Sequence, residues 1–121
     1  MDQDDLTLLG QRLRTAREAL AGTDRRRFSV RALAARLGVS GAYLSGLERG
    51  LQRPTEPLLR ALATELDLAP EPLLALAGRV PGDVAAALAS RPALADAVRA
   101  LRDLPDPDLA RAVRRIRDGD W

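Results

Sequence analysis

The side chains this sequence offers for recognition chemistry are hydroxyls and guanidiniums, and one set of them stands between Ser29 and Arg53. Ser29, Arg31, Ser40, Tyr43, Ser45, Arg49 and Arg53 carry them. A hydroxyl donates or accepts single hydrogen bonds, and a guanidinium is a permanent cation with a planar fork of donors. Such groups bind phosphate oxygens and base edges; none is a proton-transfer group near neutral pH. The chain contains no Cys and no His. That removes disulfides, thiolate nucleophiles, Cys/His zinc sites and the usual general base. Carboxylates are present without any convergent acidic motif, so the sequence reads as a binding protein with no catalytic residues, no cofactor and no metal.

Binding groups need a rigid support, and the flanking residues supply one. Val30, Leu33, Ala34 and Leu37 recur at helical spacing and form one apolar face. Ser29 stands at the N-cap position, and Gly38 stands where the chain needs a left-handed residue to leave the helix. Val39 is then expected between two helices. Ser40 is a second N-cap, Tyr43, Leu44 and Leu47 give the next inward face, and Gly50 ends that helix. Two short helices joined by a tight Gly-containing turn form a helix-turn-helix, whose second helix enters the DNA major groove. With Leu44 and Leu47 turned inward, the outward set is Ser40, Gly41, Ala42, Ser45, Gly46 and Arg49.

The string from Leu33 to Pro54, LAARLGVSGAYLSGLERGLQRP, resembles the Cro/repressor-type (XRE family) helix-turn-helix. That family favours the pattern LA..LGVS..YLS.LERG.R.P, and most of its positions are filled here. The resemblance implies an all-α, five-helix DNA-binding bundle whose partner is double-stranded DNA. It also implies that the positions of Gly41, Ala42, Ser45 and Gly46 meet base edges. Here the chain departs from the usual pattern. No Gln, Asn, Arg or Lys stands at 41 or 42, so the strong bidentate pairs to G or A are missing. Ala42 can touch a thymine methyl and Ser45 can make one hydrogen bond. Tyr43 is read as a bundle-edge residue whose hydroxyl reaches toward phosphate. Arg49 and Arg53 are read as DNA-facing, the alternatives being an ion pair for Arg49 and solvation for Arg53. The family's equivalent of Glu48 bonds within the bundle. Ser29 and Arg31, at a helix start, are placed for phosphate contact. Specificity is expected to lean on Ser45, Arg49, Arg53 and DNA shape.

Composition agrees with an all-helical class. Only 2% of residues are aromatic, so Leu, Ala and Val must build the core, and Ala, Leu and Arg favour helix. No segment alternates apolar and polar residues as a half-buried strand would. Net charge is +2, and every basic residue is Arg, so the placement of charge matters more than its sum. A first helix is expected from a Thr7 cap to Ala21, with residues 1–6 frayed and Leu9, Leu13, Ala16 and Leu20 inward. Arg25-Arg26-Arg27 falls in the following loop, read either as solvated or as phosphate-contacting. Phe28 is placed as a hydrophobic staple against Leu33. Thr55 should cap a fourth helix with Glu56 and Pro57 in its first turn and Leu58, Leu59, Leu62, Ala63 and Leu66 buried. A fifth is expected over 71–77, with Leu73, Leu74 and Leu76 inward. A DNA-binding domain over 1–78 follows.

Residues 79–121 read as a linker, Arg79 to Gly82, and three helices at 82–89, 92–103 and 107–118, with Ser90 and Asp106 as caps. Two prolines at 105 and 107 break the last pair. About forty residues hold too little core to stand alone. Either these helices extend the bundle or, the preferred reading, they make a homodimer through Val84, Leu88, Leu94, Val98, Leu101, Leu109, Val113, Ile116 and Trp121. The whole chain is loosely similar to small repressors of a radiation- and desiccation-response regulon (the DdrO type). That resemblance implies a dimer inactivated by a regulatory zinc metalloprotease, with the cut near Leu101-Arg102 in a DNA-damage response. The expected function is a dimeric transcriptional repressor on a palindromic operator. The alternative is an antitoxin-like or antirepressor-controlled interaction module with autoregulatory DNA binding. No apolar run approaches the ~18–20 residues of a membrane span, and the acidic start is unlike a secretory leader. A cytoplasmic protein without a membrane partner is expected.

Overall fold

The computed structural model describes residues 3–120. Among them it shows eight helices and no strand: α1 Gln3–Ala21, α2 Val30–Leu37, α3 Gly41–Glu48, α4 Glu56–Leu66, α5 Pro70–Leu76, α6 Gly82–Ser90, α7 Pro92–Leu101 and α8 Asp106–Arg117. The chain divides between Pro81 and Gly82 into two compact units.

In the first unit the helix ends are set by local chemistry. The hydroxyl oxygens of Ser29 and Ser40 accept from the backbone N–H groups of Ala32 at 3.1 Å and Tyr43 at 3.0 Å. Thr55 accepts from Leu58 at 3.4 Å. Each satisfies an N–H that the helix itself cannot use. Gly38 leaves α2 at φ 72°, and Asp67 closes α4 with φ 55°. The apolar faces so oriented meet in one core. Leu9, Leu13, Leu33, Leu44, Leu47, Leu59, Leu62 and Leu74 are fully buried, with Phe28 at its edge. Burying each leucine side chain stabilises the fold by roughly 1.5–3 kcal/mol. α1 packs against α3, α4 and α5, α2 against α3 and α4, and α4 against α5.

Three expectations change. The first helix begins at Gln3, not at a Thr7 cap. Asp4 and Asp5 in its first turn complement the helix dipole, and the Gln3 side chain donates to the Gly50 carbonyl at 2.7 Å. Residues 3–6 are therefore helix rather than frayed chain, and the Thr7 hydroxyl donates back to the Gln3 carbonyl at 3.0 Å. Leu58, Leu76 and Val39 are only half-buried, while Ala77 is fully enclosed. The division between units falls beyond Gly78 because Arg79 is tied to the first unit. Its backbone N–H donates to Leu74 at 2.7 Å, and its guanidinium donates to the Pro54 carbonyl at 3.1 Å.

The second unit is built differently. α6 packs on α7, yet none of α6, α7 or α8 contains a buried residue. Ser90 is not the cap of α7. It ends α6, its hydroxyl donating back to Ala86 at 3.0 Å, and Arg91 precedes Pro92 without a side-chain cap bond. Asp106 likewise is the first helical residue of α8, following Pro105. Trp121 lies outside the described residues. No helix is long and apolar enough to cross a membrane among the described residues.

Candidate nucleic-acid interface

α3 carries the candidates Gly41, Ala42, Tyr43, Ser45 and Gly46, and α1 fixes it from behind. A Cβ on Gly10 would lie 2.5 Å from the Glu48 carbonyl oxygen and 2.6 Å from that of Leu47. Only a hydrogen fits there, so α1 touches the backbone of α3 directly. Gly50 is required twice over. Its φ is 77°, and a Cβ would lie 2.8 Å from the Thr7 Cα.

A forked ion pair adds direction to this contact. Arg17 Nε donates to Glu48 Oε2 at 2.7 Å and Nη2 to Oε1 at 2.9 Å. Its Nη1 donates to the Phe28 carbonyl at 3.2 Å. The two side chains are only 11% and 7% exposed. The bond to Glu48 holds the Arg17 guanidinium above its ordinary pKa, so the cation is permanent. Glu48 thus faces inward and brings no negative charge to the outer side of α3, in line with the bundle role that the resemblance implied.

The outer side is small and open. Nothing lies within 4 Å of where a Cβ on Gly41 would sit. Ala42 is exposed, and Gly41 and Ser45 are half-exposed. Arg49 is exposed at the C-cap, its Nε donating to the Ser45 carbonyl at 3.4 Å. Tyr43 is half-buried and packs against the core, lining a shallow recess with Val39, Pro57 and Leu58. Gly46 departs from the outward set: it is buried. The Gln52 side chain covers it, with Cγ 3.5 Å and Nε2 3.8 Å from the place of a Gly46 Cβ. Helical periodicity could not show this, because the covering residue comes from the next loop. The available signal was a side-chain-free position followed, just past the helix-ending Gly50, by a long polar residue.

The remaining candidates have distinct local surroundings. Ser29 and Ser40 use their oxygens as caps, at the starts of α2 and α3. Arg31 and Arg53 are exposed. The triple-arginine loop splits. Arg25 and Arg26 are exposed. Arg27 lies over the Phe28 ring at 5.7 Å and 3.8 Å from Glu65. Arg36 covers the same ring at 5.3 Å, pairs with Glu65 at 3.0 Å and donates to the Arg27 carbonyl at 2.6 Å.

In the second unit Val84, Val98, Val113 and Ile116 are exposed by 45–58%. Leu88, Leu94, Leu101 and Leu109 are half-buried. Leu101 ends α7 and Arg102 stands exposed in the turn that follows. No cluster of three or more acidic side chains is arranged to hold a metal among the described residues.

Residues 8–77 match a family model described as a helix-turn-helix domain, which is more than half of the chain. The match ends before α6. No curated protein and no solved structure shows significant similarity to the chain. The likeness of the whole chain to radiation-response repressors, and the metalloprotease partner it implied, therefore gains no support.

Proposed function

The chain belongs to the helix-turn-helix domain family, and from that premise we propose that it is a sequence-specific DNA-binding transcriptional regulator, a dimeric repressor that lays α3 along the major groove of a palindromic operator. The observation that carries this reading is the two-sidedness of α3. Its inner side is locked to α1 through Gly10 and the Arg17–Glu48 pair, while Gly41, Ala42 and Ser45 leave its outer side low enough to sit deep in a groove. Arg49 and Arg53 flank that side as cations, and Arg31 and Ser29 stand at the start of α2, where free N–H groups favour phosphate. Ser45 and Ala42 offer a hydrogen bond and a methyl contact to base edges.

The dimer rests on a separate observation. Apolar side chains in α6–α8 remain uncovered by the second unit itself, and a second copy placed over Val98, Val113 and Ile116 removes them from water. Two half-sites bound together hold far better than either alone. Selection of duplexes from a random pool by the full chain tests the reading. A two-fold symmetric motif is expected, with Arg49→Ala weakening binding to it. Recovery of no motif overturns it, and a monomer at micromolar concentration in sedimentation overturns the dimer. Co-purification of a tight heterocomplex through α6–α8 would instead favour an antitoxin-like module.

A further inference from the structure

We propose that Gln52 is the specificity-determining residue of this interface, its carboxamide reading an adenine edge in place of the long side chains that α3 lacks. The inference rests on the DNA-binding reading of α3 above and adds a residue from outside that helix.

α3 offers only hydrogens, a methyl and one hydroxyl at Gly41, Ala42, Ser45 and Gly46. None can make two parallel hydrogen bonds to a base. The Gln52 side chain is laid on Gly46, its Cγ in ordinary contact distance of where a Cβ would be. It thereby lies against the place that a side chain at 46 would take, and its amide nitrogen stays beside α3.

The loop that delivers it is short and pinned at both ends. Leu51 N–H donates to the Gly46 carbonyl at 2.9 Å, folding the chain back along the end of α3. Pro54 is buried and its carbonyl accepts from Arg79 at 3.1 Å. Only Gln52 and Arg53 lie between these anchors. Little backbone freedom is left to lose on binding, which favours a defined contact over a diffuse one. Gln52 is exposed, and its carboxamide makes no hydrogen bond among the described residues.

The chemistry then selects the target. A carboxamide holds one acceptor and a pair of donors in one plane, which matches the N6 donor and N7 acceptor of adenine in the major groove. Being neutral, it releases no counterion and so adds no charge term to phosphate binding. Arg53 beside it supplies that part, as a cation.

Selection from random duplexes by the full-length protein and by Gln52→Ala tests this. The wild type should return a motif with an adenine fixed at one position of each half-site. Gln52→Ala should lose the preference at that position alone, by about 5- to 150-fold, with binding to scrambled duplex unchanged. Gln52→Glu should shift the preference there toward cytosine, whose N4 is a donor. Unaltered thermal unfolding of each variant shows that the fold is intact. Identical motifs from wild type and Gln52→Ala overturn the role of Gln52 while leaving α3 as the reader. An equal loss on selected and scrambled duplex also overturns it, by making Gln52 a backbone contact. No motif from the wild type overturns the reading of α3 itself.

Discussion

The two units draw on the same residues, chiefly Leu, Ala, Val and Arg, yet only the first encloses a core. In α1–α5 leucines from every helix reach full burial. In α6–α8 the same side chains line helices that bury no residue. The difference is one of arrangement rather than hydrophobicity. The first unit has five helices crossing one another, so each apolar stripe faces several others. The second has three helices in about forty residues, too few to surround anything. A unit of the first kind is complete by itself; a unit of the second kind leaves apolar surface for something else to cover.

The largest effect that would break this contrast is expected at the ion pair. Glu48→Ala strands the nearly buried Arg17 cation and should cost about 3–5 kcal/mol, read as a lowered midpoint in denaturant. A cost near zero would mean that α1 and α3 do not depend on it. Gly10→Ala forces a methyl into backbone contact and should cost about 1–3 kcal/mol, in the same assay. Smaller and of opposite sign, Gly46→Ala meets Gln52 only at contact distance and should stabilise α3 by about 0.5–1 kcal/mol. Its thermal midpoint should rise even if DNA selection changes. Smallest of all, Val98→Ala should change stability by less than about 0.5 kcal/mol at nanomolar concentration, as an exposed site does. At high concentration the proposed dimer predicts that the loss grows, as a second copy covers the site. Hydrogen exchange sharpens the same contrast. Amides of α1, α3 and α4 should exchange only by global unfolding, and those of α6–α8 far sooner when dilute.

Much of the first unit is legible in the chain because its signals are local. Ser29, Ser40 and Thr55 cap helices through bonds to residues three positions on, and Gly38 turns the chain by its own backbone freedom. The leucine periodicity places the core for the same reason. What the chain does not display is contact between distant segments. Nothing near Gly10 announces that Leu47 and Glu48 lie against it. Arg17 reads as one more arginine off the apolar stripe until Glu48 is brought to it across the bundle. Thr7 shows the hazard of a good local signal. It is a fair cap by type, but the helix runs on to Gln3, whose side chain finds Gly50. Gly46 shows the converse, an outward position by periodicity that a neighbouring loop covers. In the second unit the helices themselves are legible, and their uncovered faces are what a short segment with few partners must have.

Consider last the notch in which Gly10 and Gly50 let α1 touch both the end of α3 and the turn beyond it. With no side chain between them, the two helices have no room to slide or tilt independently. On the DNA-binding reading proposed above, a change in which duplex is chosen comes from swapping groups on the outer rim, at Ala42, Ser45 or Gln52, rather than from re-aiming the rod. Retargeting such a regulator becomes a matter of exchanging bits on a fixed handle.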